Sequence, residues 1–413
     1  MHIALAGPIS TESIAEFLDG EVGSLPKGYG GAPFFSSLIK GLLARGHQVS
    51  AFTTDSSLPL DQKKPFSAAG DRFSIFYLPS RKHSIRPNGS YPGRIVDLFS
   101  LERRILSEAI AQVAPDVVHA HWTYEFSLAG LATGHPCVVT CHDSPLRVLR
   151  YMPNLYRLGR YFMARDVLKK APILTAVSPY LQEQIGRHTS TKVAVIPNPM
   201  PEAAEKQNLA GNRSIHANKP RFGMILNGWG TLKNPQSAIR AFAKVRNRIP
   251  AAEFHLFGSD FQPDGMAERW ARKRGLCDGI CFHGRLPYQQ LLQYLEYGVD
   301  ILVHPALEEA CSMTIVEAMA FGVPVIGGST SGGVPWQLGY GKAGRLVNVR
   351  DADQIASVMM ELVSAPEMYS RLSLLVRERA HELFGRDAVA AAYEAQYRIA
   401  SGTVSANGGG RSS

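Results

Sequence analysis

The sequence contains no run of about 18 apolar residues, which excludes a helix crossing a bilayer. No basic region precedes a long apolar stretch in the opening MHIALAGPIS, so a cleaved export signal is not expected. The pattern G-x-G-x-x-G does not occur, which counts against a nicotinamide-dinucleotide fold. Cysteine is scarce: Cys137, Cys141, Cys277, Cys281 and Cys311. Its two C-x3-C pairs lack the C-x2-C and histidine spacing of zinc sites. The odd set predicts free, mostly buried thiols in a reducing compartment. Charge is sparse, with 44 Lys and Arg against 35 Asp and Glu in 413 residues, a formal +9. That permits an anionic partner without choosing among nucleotide, nucleic acid and acidic membrane. These absences predict an intracellular, cytoplasmic protein.

The sequence is rich in alternation. Apolar, β-branched runs take turns with helical patterns from the first residue, the signature of parallel sheets built from βαβ units. Strands are expected at His2–Ala6, Gln48–Thr53, Phe73–Leu78, Val117–His121, Cys137–His142, Ile173–Ser178 and Val193–Pro197. A helix is expected over Ala32–Arg45, closed by Gly46. Pro197-Asn198-Pro199 interrupts the pattern, and the polar, alanine-rich residues 201–220 read as a linker. Alternation resumes at Phe222–Asn227 and runs through a strand at Asp300–His304 to another at Gly344–Val349. The tail, residues 402–413, has too few apolar groups to bury. The fold class is α/β, with one doubly wound domain in residues 1–200 and a second in 221–385. Ligands of such folds sit at strand C-terminal ends, here in the cleft expected between the halves.

Candidate chemistry concentrates in Val303–Gly333, VHPALEEACSMTIVEAMAFGVPVIGGSTSGG. Glu309 and Glu317 straddle a small turn at Ser312, Met313 and Thr314 where a helix begins. Free backbone N–H groups and a partial positive charge make such a start an anion site. Acids around it suggest hydroxyl recognition on a phosphorylated ligand. As a competing reading, Thr314-x-x-Glu317 also fits a capping box. Lys233, in the loop that begins at Gly228, stands near a helix start where a cation is mildly unfavourable, which favours a role in binding pyrophosphate. Gly30 and Gly31 precede the first long helix and let the backbone approach a phosphate or sugar. His142 and Asp143 end a strand, the acid placed to orient the ring. His119 and His121 read as structural. Asp351-Ala352-Asp353 resembles a metal-binding D-x-D, but Asp351 with Gln354 makes a capping box, and the cap is preferred. Residues 146–170 mix Arg147, Arg150, Arg157, Arg160, Arg165, Lys169 and Lys170 with aromatics and leucines. A basic amphipathic surface suits the inner face of an anionic membrane, and a solvated helix face stands equally open. No nucleic-acid motif accompanies the charge.

Together these residues resemble the retaining glycosyltransferases of family 4, with the GT-B fold. The likeness runs from Gly30-Gly31 and GHQVSAFTT through PDVVHAH, VVTCHDSP, VAVIPNP, LKNPQSAIRAF and ICFHGRLP. It ends on the E-x7-E block and PVIGGSTSGGVPWQL. The resemblance implies two Rossmann-like domains, and a C-terminal helix over residues 386–401 crossing back to the first. It implies transfer of a sugar from a nucleoside diphosphate sugar to a sugar or lipid-linked acceptor, in polysaccharide, lipopolysaccharide or glycolipid synthesis. No cofactor and no metal are implied. Glu309 would hold donor-sugar hydroxyls and Glu317 the ribose. Met313 and Thr314 would meet the pyrophosphate through backbone N–H groups, with Lys233 and Gly31. His142 would contact the sugar, and Arg285 and Leu286 would line the base. One departure is plain: the family places an arginine near its lysine, and Gly228-Trp229-Gly230-Thr231-Leu232-Lys233 has none. A sugar-nucleotide-binding protein without transfer activity and a sugar-nucleotide epimerase therefore stay open.

Overall fold

Strands β1 (His2–Ala6), β2 (Gln48–Asp55), β3 (Phe66–Gly70), β4 (Phe73–Pro79), β5 (Val117–His121), β6 (Cys137–Cys141), β7 (Ile173–Ala176) and β8 (Val193–Val195) form one sheet, ordered β3-β4-β2-β1-β5-β6-β7-β8. A second sheet, ordered β11-β10-β9-β12-β13-β14, is built from β9 (Arg221–Ile225), β10 (Glu253–Phe257), β11 (Ile280–Gly284), β12 (Ile301–His304), β13 (Val325–Gly328) and β14 (Arg345–Val347). The computed structural model describes residues 1–62, 64–205 and 213–402. Among them every strand pairing is parallel except β3 with β4. β3 is an antiparallel edge strand with no counterpart in the sequence reading; its FSAAG carries one large apolar residue, and Phe66 is exposed.

Central strands are buried along their whole length, as VVHAH in β5, CVVTC in β6 and ILVH in β12 show. Helices on both faces leave no solvent side, so these strands read as continuous apolar runs. The architecture is α/β and doubly wound in both halves.

The chain divides into two units. The first is Met1–Pro199 together with the chain from Arg386; the second is Met200–Gly385. Within the first unit, helix Arg386–Ala400 lies against helix Phe34–Ala44. A Cβ on Gly41 would stand 2.9 Å from the Ala390 Cβ, so glycine permits this close approach. Tyr393 and Tyr397 are buried, and the Tyr397 hydroxyl bonds His119 Nδ1 at 2.7 Å. Helix Phe34–Ala44 begins two residues later than its periodicity predicts and stops two residues before Gly46, whose φ of +83° is left-handed.

The segment read as a linker is docked at both described ends, while residues 206–212 lie outside the description. Ala204 is buried. Arg213 donates to the carbonyls of Leu295, Glu296, Val299 and Phe321. The expected tail, apart from Gly402, also lies outside the described residues.

Candidate functional site

In the second unit the loop after β9 is stapled to the segment leading to Glu309. Asn234, held at φ +49°, donates from Nδ2 to Pro305 O and Val349 O. Leu307 N donates to Leu232 O at 2.8 Å. Gly228, at φ +98°, turns the loop, and Trp229 N donates to Asp260 Oδ2. These fastenings bring Lys233 Nζ to 2.6 Å from Glu309 Oε1. On its other side Glu309 O accepts Gly333 N at 2.7 Å, and Ser331 Oγ donates to Ala306 O. A Cβ on Gly328 would collide with Ser331 Oγ, which accounts for glycine there.

Burial, the largest single influence, would raise the Glu309 carboxyl, but the Lys233 ammonium and His304 together outweigh it and hold the group at about 2. His304 ends β12, is buried, and places Nε2 3.6 Å from Glu309 Oε1. Sequence reasoning did not single it out, although its place at a strand C-terminal end was a usable signal.

Helix Met313–Ala320 starts from Ser312, whose side chain makes no capping bond. Gln337 brackets Ser312 instead, its Oε1 accepting Ser312 N and its Nε2 donating to Ser312 O. Met313 and Thr314 are half-buried in the first turn. Glu317 lies past that turn, so the capping-box reading of Thr314 and Glu317 is corrected: its carboxylate accepts from the Tyr288 hydroxyl at 2.9 Å. Burial raises Glu317 to about 7, and the Tyr288 bond pulls the other way. Tyr288 follows the exposed Arg285 and half-buried Leu286 by a few residues, joining that stretch to the helix. A contact between separate elements left no local pattern to read.

Asp351 caps helix Ala352–Ser364 by accepting Asp353 N and Gln354 N. Gln354 reaches back to Asn348 N rather than to the Asp351 backbone, so only half of the expected box forms.

In the first unit, Gly30 and Gly31 have no atom within 4 Å of a built Cβ, and Gly31 has φ +118°. Packing therefore does not demand these glycines; the backbone conformation at Gly31 does. His142 is not oriented by Asp143 as expected. Its Nε2 shares a proton with His121 Nδ1 at 2.8 Å, and its ring stacks on Phe34. Asp143 accepts from the Tyr124 hydroxyl instead. Burial pulls His142 to about 3, so the ring is neutral at physiological pH. His119 and His121 are buried beneath it, and His119 is bonded by Thr140 and Tyr397.

The basic run forms helices Pro145–Tyr151 and Leu155–Lys170. Arg160 is not on a surface: it is buried, 3.5 Å over the Tyr124 ring, and donates to the Tyr156 hydroxyl. Its helical companions Met163, Ala164 and Val167 are buried too, a spacing that marks the inward face. Leu155 and Phe162 are exposed.

Two doubly wound units, the second carrying a lysine–carboxylate pair beside a helix start at its strand ends, define the GT-B class of α/β proteins. Residues 30–203 match the model described as Glycosyltransferase Family 4, and residues 213–379 match Glycosyl transferases group 1. The chain belongs to these glycosyltransferases. It is 22% identical over 346 residues to N-acetyl-alpha-D-glucosaminyl L-malate synthase of Bacillus anthracis, covering 78% of this chain and 86% of that one. It is 32% identical over 176 residues to the MMP alpha-(1->4)-mannosyltransferase of Mycolicibacterium hassiacum, covering 42% of each. Sucrose-phosphate synthase from Thermosynechococcus elongatus shares the fold at TM-score 0.72 and 19% identity, over 98% of this chain and all of that one. Anabaena HepE, solved with UDP-glucose, shares it at TM-score 0.65 and 15% identity, over 96% and 98%.

Proposed function

We propose that this glycosyltransferase moves a sugar from a nucleoside diphosphate sugar to an acceptor hydroxyl with retention of anomeric configuration. The observation that carries the reading is the Lys233–Glu309 pair beside the start of helix Met313–Ala320. A carboxylate held ionised accepts hydrogen bonds from sugar hydroxyls, and a cation beside a helix start answers a diphosphate. As the bond from the anomeric carbon to the diphosphate breaks, negative charge grows on the leaving group. Lys233 and the N–H groups of Met313 and Thr314 stabilise it, so the step needs no metal. The sugar becomes oxocarbenium-like, and the acceptor oxygen forms the new bond. Glu309 positions the donor and is not assigned as a nucleophile. Glu317 takes the ribose, Arg285 and Leu286 line the base, and Gly228 lets the Lys233 loop turn. For Gly30, Gly31 and His142 the proposal is donor contact, as the family resemblance implies. A biosynthetic role in polysaccharide, lipopolysaccharide or glycolipid assembly agrees with the sugar transfer named for the mannosyltransferase relative.

The test is incubation with UDP-, GDP- and ADP-sugars plus lipid and sugar extracts, reading nucleoside diphosphate release and product anomer by NMR. Release that disappears in Glu309→Ala and Lys233→Ala supports the proposal. Tight donor binding with no turnover favours the binding-only alternative, and isomerised donor without transfer favours an epimerase.

A peripheral membrane contact on the cytoplasmic side is also proposed, favoured by Leu155 (70% exposed), Leu158 and Phe162 on one flank of a basic helix. Sedimentation with anionic vesicles tests it. Binding is expected to fall in Leu155→Glu/Phe162→Glu, and unchanged binding overturns it.

A further inference from the structure

The outer strands of the second sheet carry a cluster that the proposed transfer does not use. His255 on β10 is opposite Cys281 on β11 in the strand register. Between Leu256 and Phe257 the register shifts, leaving His283 as the extra residue of a bulge. Bulges re-aim side chains, and here His283 Nε2 lies 2.9 Å from His255 Nδ1. One ligand atom from each of His255, Cys281 and His283 lies within 4.8 Å of the others. Among the described residues no other group of histidine, cysteine and acidic side chains converges in this way.

The surroundings favour a metal over a plain histidine hydrogen bond. The second nitrogen of His255, Nε2, faces the Glu253 carboxylate at 3.5 Å. Glu253 is itself anchored by Lys219 at 2.9 Å. A carboxylate behind a histidine ring is the outer-shell arrangement that fixes the tautomer of metal-ligating histidines. With Nε2–H turned toward Glu253, His255 Nδ1 presents its lone pair to the cluster. Phe257 stacks on His283 at 4.6 Å and 10°, fixing that ring.

We propose that His255 Nδ1, His283 Nε2 and Cys281 Sγ form a zinc site, with water as the fourth ligand. Imidazole and thiolate are the donors zinc selects, at about 2.0–2.1 Å for nitrogen and about 2.3 Å for sulfur. Three protein ligands leave one position open, and the half-buried setting of all three admits water. Opening the 2.9 Å contact between the rings to near-tetrahedral spacing takes a shift of about half an ångström. The ion displaces the thiol proton, and His283 moves its ring proton from Nε2 to Nδ1. One proton leaves per ion bound.

The test uses the full chain, stripped with a chelator that is then removed and titrated with Zn2+ and, separately, Co2+. One equivalent of Zn2+ with release of one proton is expected, and Co2+ should show a thiolate charge-transfer band with four-coordinate ligand-field intensity. Cys281→Ser should lose that band, and Glu253→Gln should weaken binding about tenfold through the outer shell. His283→Gln should weaken it further. Circular dichroism and melting identify any variant that fails to fold, and Cys281→Ser keeps the cysteine's shape. The proposal is overturned if a native-like Cys281→Ser retains the cobalt band or unchanged zinc affinity, because another thiol is then the ligand. Absence of any stoichiometric zinc binding in the parent chain overturns it as well.

Discussion

The loop before helix Met313–Ala320 carries a half-buried carboxylate and the helix's own inner face a buried one, and the two behave oppositely. Glu309, in the loop, meets an ammonium at 2.6 Å and stays ionised down to about 2. Glu317, one turn into the helix, meets a phenol at 2.9 Å and titrates at about 7. The first is thus a permanent anion and the second a group that holds its proton near neutrality. The partner decides, since a cation favours the charged form and desolvation disfavours it. A permanent anion suits constant hydroxyl acceptance. A carboxyl poised near neutrality becomes a good acceptor only as a ligand's hydroxyls arrive to replace lost solvation.

The hardest blow to this contrast is Lys233→Ala. Under the proposed mechanism the leaving diphosphate then loses its main cation, and turnover should fall about 10²–10³-fold, measured by nucleoside diphosphate release. Lys233→Arg should recover part of the loss. Next is Glu317→Gln. The folded value, about 7, is above the group's ordinary value of 4.5. Folding therefore favours the protonated form, whose stabilisation is full below about 4.5 and lost as pH rises through about 7. Gln stays neutral throughout, so the variant should match the parent near pH 4 and exceed it at pH 8 by up to about 3 kcal/mol. Denaturant melts at the two pH values check this, and nucleotide affinity should drop about tenfold in the same variant. Tyr288→Phe removes the bond that draws Glu317 down. Nucleotide affinity at pH 7 should weaken about fivefold, and calorimetry should show its pH midpoint moving upward. The smallest effect is expected from His304→Asn, which relaxes the hold on Glu309. Turnover at neutral pH should persist while the acid limb of the profile moves up, and an unmoved limb would remove His304 from the account.

Much of the fold was legible because doubly wound sheets bury strands on both faces. β5, β6 and β12 announce themselves as apolar runs between helical periods. β3 escaped because an exposed edge strand needs little apolar content. At the site, Lys233 and Glu309 were readable from loop position and spacing. Their direct pairing was not, because it depends on Asn234 and Leu307 fastening two loops. His142 was placed correctly at a strand end, but its partner was misjudged. His121, on the neighbouring strand, is the ring's partner, and the adjacent acid accepts from Tyr124 instead. Arg160 shows a signal passed over: it shares the helical stripe of Met163 and Val167, and the ring of Tyr124 admits its guanidinium inside. All five cysteines are free, as expected, and the approach of His255 to Cys281 escaped notice because C-x3-C spacing looks along the chain while His255 comes from across the sheet.

The sequence by itself determined the α/β class, the two-unit organisation and the residue types at the loops proposed to hold the donor. Hydrophobic period and turn chemistry are local properties, written within a few residues of one another. Tertiary structure alone decided which charges meet, which carboxyl keeps its proton and which histidines face one another. Those outcomes depend on distances between residues far apart in the chain and on how much water burial removes. Neither quantity exists until the sheets have formed.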